Sequence, residues 1–166
     1  PGARDAATRA ALRRAAAAAR LVERRDGVWA RPDNLPLAAT PTVAREVLRA
    51  QAERWSSRPD PAEVIDVPTA FSLPEMAERT TRLLVDLVPV TAALAAGDLE
   101  QLAPAFALGA AALLQVRRDP LLPAELTGPA WPGPALRAAY VEYQHAFATA
   151  AGSWFAAVRT EPAGGW

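Results

Sequence analysis

Arg117 and Arg118 stand side by side, and Trp131, Tyr140 and Tyr143 follow in the same stretch of sequence. Guanidinium groups form paired hydrogen bonds with phosphates and carboxylates, and aromatic rings offer flat apolar faces. These five residues are therefore candidates for a pocket that takes an anionic ligand. They also have a structural use. Arginines at the end of a helix offset its dipole and bond its free carbonyls, while Trp131 and Tyr140 are large enough to anchor the packing of a small helical domain. Covalent and metal chemistry have less to work with. The sequence has no cysteine and one histidine, which excludes thiolate nucleophiles, disulfides and cysteine-ligated zinc but not oxygen-ligated metals. His145 falls nine residues after Leu136, about 180° around a helix from it, so it should face solvent. Neither a G-x-S-x-G elbow nor a glycine-rich phosphate cradle is present, and neither an enzyme nor a cofactor is expected.

The candidates depend on the connector between them. It reads Arg117-Arg118-Asp119-Pro120-Leu121-Leu122-Pro123-Ala124-Glu125-Leu126, then Trp131-Pro132-Gly133. Each proline fixes φ and removes a backbone donor, so this is a rigid link of defined shape, marked by Asp119, Pro120, Pro123, Trp131, Pro132 and Gly133. The helix after it opens at Gly133-Pro134 and carries Leu136, Tyr140, Tyr143, Phe147, Trp154 and Val158 within about 40° of one line, a strong apolar stripe. The helix before it should bury Leu102, Phe106, Leu113 and Leu114, with Pro104 separating its first turn and Asp98 capping after Gly97. Further upstream, Ser72-Leu73-Pro74-Glu75 reads as a capping box for a helix through Met76, Thr80, Leu83, Leu84, Leu87 and Val88. Pro89 should kink or end that helix.

The first third has a different character. Asp5 should cap a helix to about Arg20 with a thin stripe of Leu12, Ala16 and Ala19. Leu21 to Arg31 then suggests a hairpin turning at Asp26-Gly27, with Trp29 as a core anchor. Thr40-Pro41 supplies an N-cap and a proline for a second helix to Trp55. Ser56 to Pro61 breaks the chain, and Glu63 to Val67 is a short strand candidate. Helix, hairpin, helix and strand make up a ferredoxin-like unit without its first strand. The expected fold class is thus α+β, mostly α: a truncated ferredoxin-like unit over 1–68 and a helical domain over 69–166.

Charge is balanced overall, with 18 basic residues, all arginine, against 18 acidic ones. It is unevenly placed. From Pro1 to Arg31 eight arginines face only Asp5, Glu23 and Asp26, leaving +5 there and −5 in the remainder. A basic lobe can contact nucleic acid, and a solvated arginine-rich helix looks the same in sequence. At 51% hydrophobic over 166 residues, one ordinary core or two small ones can form. No apolar run reaches about 18 residues and no signal-peptide centre opens the chain, so a cytoplasmic protein away from membranes is expected. A start at Pro1 fits a processed product or a fragment.

Two stretches resemble a known family. The pattern R-D-P-x-L-P-x-E-L followed by W-P-G-x-x-x-R, and the earlier Gly27-Val28-Trp29-Ala30-Arg31-Pro32-Asp33-Asn34-Leu35, are similar to segments of the PaaX family of bacterial transcriptional regulators of phenylacetate catabolism. The resemblance implies the central and C-terminal domains of such a regulator, without the N-terminal winged helix that binds operator DNA. It further implies a repressor that acts as a homodimer and responds to an acyl-coenzyme A effector, a ligand whose phosphates the candidates Arg117, Arg118, Trp131, Tyr140 and Tyr143 would suit by their own chemistry. Two other readings stand beside it: an interaction module without ligand, and a small-molecule enzyme. The run L-V-E-R-R-D-G-V-W after a helix also suits the recognition helix and wing of a winged-helix domain, but only some twenty residues precede it, too few for the two further helices needed.

Overall fold

The computed structural model describes residues 5–56 and 66–160. Seven α-helices and one two-stranded antiparallel sheet make up those residues, so the class is α+β, mostly α. They form two compact units, Pro1–Pro74 with Arg118–Ala130, and Glu75–Arg117 with Trp131–Trp166. The proline connector therefore packs with the first unit, although the division at 68/69 expected from sequence places it with the second.

In the first unit, α1 (Ala6–Ala18) begins on Asp5, whose carboxylate accepts from the Thr8 amide at 2.7 Å. It ends in a Schellman arrangement, with the Leu21 amide donating to the Ala16 carbonyl and the Arg20 amide to that of Ala17. The left-handed position that glycine usually takes is filled by Arg20, at φ 58°. Strands β1 (Val22–Arg25) and β2 (Val28–Ala30) follow, turning at Gly27 with φ 73°. Val22 faces Ala30 and Glu23 faces Trp29, and a bulge between Glu23 and Arg25 inserts one extra residue before the turn. Next, α2 (Thr42–Gln51) packs on α1 across small side chains, Ala15, Ala16 and Ala19 against Ala44, which let the two backbones approach. The helix starts one residue later than the sequence suggested. Pro41 holds the capping position without a side-chain bond, and Thr40 is buried. The strand expected over Glu63 to Val67 lies mostly outside the described residues, and Val67 itself opens the one-turn helix α3 (Val67–Ala70), capped by Asp66. This turn packs on the one-turn helix α6 (Ala124–Thr127).

The second unit is a three-helix bundle of α4 (Leu73–Ala95), α5 (Leu102–Arg118) and α7 (Gly133–Thr160), with a 3-10 turn at Leu99–Gln101 before α5 as the position of Pro104 suggested. Its core joins Leu87 and Leu94 of α4, Ala105 and Ala112 of α5, and Leu136, Tyr143 and Ala150 of α7. Pro89, expected to kink or end α4, does not end it. The helix runs through, since Val85, whose carbonyl is denied its usual donor, lies on an exposed face where water can replace the bond. Ser72 does not cap, because it occupies the left-handed region at φ 50°. On α5 the buried face is Ala105, Gly109, Ala112 and Gln115, whereas Phe106, Leu113 and Leu114 are exposed. The small face leaves room for the Tyr143 side chain of α7. Trp154 and Val158 likewise leave the predicted stripe, in the exposed last two turns of α7. The stretch Leu99–Arg118 is long and apolar enough to cross a membrane by length and composition, at a mean hydropathy of 1.4, because the average passes over Pro104 and Gln115 where an uninterrupted run does not.

Candidate functional site

Arg117 and Arg118 end α5 and are exposed, as their place at a helix C-terminus suggested. Asp119, immediately after them, is buried. Its carboxylate accepts from the Leu121 amide at 3.0 Å, closing a side-chain turn that holds Leu121 at a positive φ of 52°. Pro120 and Leu122 are buried beside it and Pro123 is half-buried.

Two residues from far upstream fasten this turn. The Arg20 guanidinium donates to the Asp119 carbonyl, and the Asn34 amide donates to the Leu121 carbonyl at 2.6 Å. Prolines leave a connector rich in carbonyls and short of donors, and these side chains supply donors from outside. Nothing in the sequence marks the pairing, since the partners lie 99 and 87 positions apart. Only the composition of the connector hints that donors must come from elsewhere.

On the other side of the connector, Trp131 and Pro132 are half-buried and Gly133 is buried. Trp29, in the first unit, is also half-buried, against α1. Tyr140 and Tyr143 stack with ring centroids 5.7 Å apart, and Phe147 lies 5.6 Å beyond Tyr143. Of these aromatics Tyr143 is the buried one, at 5% exposure. Its hydroxyl donates to the Ala105 carbonyl at 2.9 Å, and burial pushes its phenol above the ordinary range, with the neighbouring Tyr140 adding to the effect. A Cβ at Gly109 would clash with the hydroxyl end of the Tyr143 side chain. This close approach ties α5 to α7 and was not visible in the sequence, where Gly109 reads as one more small residue. Gln115, also buried, clips α5 to α4 by donating to the Thr80 hydroxyl at 2.9 Å.

The structure thus stacks Tyr140 on Tyr143, while Arg117 and Arg118 are neighbours in sequence at the end of α5. The Tyr143 hydroxyl is already engaged, which leaves its ring for packing. His145 is exposed, and among the described residues no group of three acidic or histidine side chains gathers as for a metal. A cleft of about 80 Å³ lies elsewhere, in the first unit, lined by Arg9, Leu12, Arg13, Glu23, Asp26, Gly27 and Trp29.

Comparison with known proteins adds the remaining facts. Residues 71–157 match the family model for the PaaX-like protein C-terminal domain. The solved structure of uncharacterized protein Rv0674 from Mycobacterium tuberculosis is similar, with a TM-score of 0.67 and 33% identity over 92% of this chain. This chain spans 59% of the length of that one. No curated protein matches.

Proposed function

The chain belongs to the family of PaaX-like proteins, and from that premise we propose that it is the effector-sensing and dimerisation region of a bacterial transcriptional regulator. The observation that carries the reading is the match of 71–157 to the C-terminal domain of a family of regulators. In this reading the protein is cytoplasmic, represses genes of aromatic-acid catabolism, binds DNA through a winged helix outside this chain, and is released by an acyl-coenzyme A or a related ligand.

Ligand control requires unequal affinity for two states of the protein. The exposed guanidinium groups of Arg117 and Arg118 suit the phosphates of such a ligand, and the half-buried Trp131 and Tyr140 suit its apolar part. Tyr143 holds Tyr140 from behind by stacking. Titrating the chain with phenylacetyl-coenzyme A while following tryptophan fluorescence tests this. Saturable binding that is abolished in Arg117→Ala with Arg118→Ala is expected; no binding, or binding unchanged in that variant, rejects the effector site.

A second reading, an interaction module without ligand, is favoured by the exposed apolar residues Phe106, Leu113 and Leu114 on α5. It gains if no acyl-coenzyme A binds and the chain still associates.

A further inference from the structure

Between Asp5 and Arg31 the chain carries seven arginines. Arg20 and Arg31 are half-buried, donating to the carbonyls of Asp119 and Leu35. Arg9, Arg13, Arg14, Arg24 and Arg25 are exposed. Arg9 and Arg13 are one turn apart on α1 and border the same cleft as Glu23, Asp26 and Gly27, so the arginines of the helix stand beside the hairpin. A regular strand would send Arg24 and Arg25 to opposite faces. The bulge between Glu23 and Arg25 breaks that alternation. Asp5, Glu23 and Asp26 offset three of the seven charges and leave +4 between Asp5 and Arg31.

We infer that α1 and the hairpin form a contact surface for the phosphate backbone of duplex DNA, lying alongside the sequence readout that the proposed function places in a domain outside this chain. The inference takes its partner from that reading. Exposed arginines on a helix edge and an adjoining hairpin match phosphate groups by charge and by paired hydrogen bonds, and such contacts position a protein on DNA without reading bases. The surface therefore adds affinity and no sequence preference.

The test is fluorescence anisotropy of a labelled mixed-sequence duplex with the purified 166-residue chain over a range of salt concentrations. Binding that ignores sequence and weakens steeply with salt is expected. Arg13→Gln combined with Arg24→Gln and Arg25→Gln should make the log–log salt slope shallower by roughly 0.9 for each phosphate that is no longer neutralised. The same three positions changed to lysine should keep the slope. Removing equal charge from the second unit, by Arg79→Gln, Arg82→Gln and Arg159→Gln, should leave it unchanged. Should the triple glutamine variant fail to fold, Arg25→Gln alone reports the slope of a single arginine–phosphate pair. Absence of duplex binding at low salt, an unaltered slope in the glutamine variants, or an equal change in the control overturns the inference, as does binding to anionic phospholipid vesicles without binding to duplex. The effector titration above is independent of these outcomes, so either idea can fail alone.

Discussion

Gly109 and Tyr143 have to be what they are for the same reason. The hydroxyl end of the ring occupies the space where any larger residue at 109 would place its Cβ, and the hydroxyl itself donates to the Ala105 carbonyl. Gly109→Ala should cost about 1–3 kcal/mol through overpacking, despite alanine's better helix propensity. Urea denaturation of the two proteins checks this, and a smaller penalty is expected when Tyr143 is also reduced to leucine, because the two sites share one point of packing. Tyr143 should also show in alkaline titration. Its pKa is raised in the folded state by burial, so its contribution is complete below the ordinary phenol pKa and is lost as pH rises above that value. The wild type should therefore lose stability on alkalinisation more steeply than Tyr143→Phe. The aromatic stripe was legible in the sequence because large apolar residues at helical spacing identify a face. The facing surface of α5 was not, because size alone assigns Phe106 and Leu113 to the core, while the actual packing needs the smallest residues on the helix.

Helix ends give a cleaner comparison. Both α1 and α4 finish in the same hydrogen-bond arrangement, one with Arg20 at the left-handed position and the other with Gly97. The end of α1 near Arg20 was read from the sequence, but the left-handed backbone of Arg20 was not, since its cost is offset by a guanidinium bond to a carbonyl that no local pattern reveals. Arg20→Ala should lose that bond and keep the strain, whereas Arg20→Gly loses the bond and relieves it. Chemical denaturation should therefore find the glycine variant less damaged, by about 1 kcal/mol. For Pro89, an unbroken helix and an exposed face mean that Pro89→Ala should stabilise, by up to about 3 kcal/mol, seen as a higher melting temperature. The caps of α1 and α3 should respond to acid. Asp5 is held below the ordinary carboxylate range first by the Thr8 amide, and Asp66 first by the Thr69 side chain. Their contribution is present above the ordinary carboxylate pKa and is lost as pH falls through the lowered values. Protection of the Thr8 and Thr69 amides from exchange, relative to the free-peptide rate at the same pH, should fall there.

At the level of the whole molecule, the class and the order of the helices followed from periodicity, capping residues and prolines. The grouping of those elements did not, because it depends on bonds such as Asn34 to Leu121 that join distant segments. The proposed dimer belongs to this scale and should appear as concentration-dependent sedimentation of the chain; a monomer at every concentration rejects it. The division into units also bears on how the protein is made. The first unit includes Arg118–Ala130, and the second includes Trp131–Trp166. During synthesis, α1, the hairpin and α2 leave the ribosome without the connector that Arg20 and Asn34 hold, and α4 and α5 emerge before it. When the connector arrives, the second unit still lacks its longest helix. Neither unit can close on its own N-terminal segment, so a nascent chain stopped before Asp119 should remain sensitive to protease throughout, and protection should come late, the first unit gaining it ahead of the second.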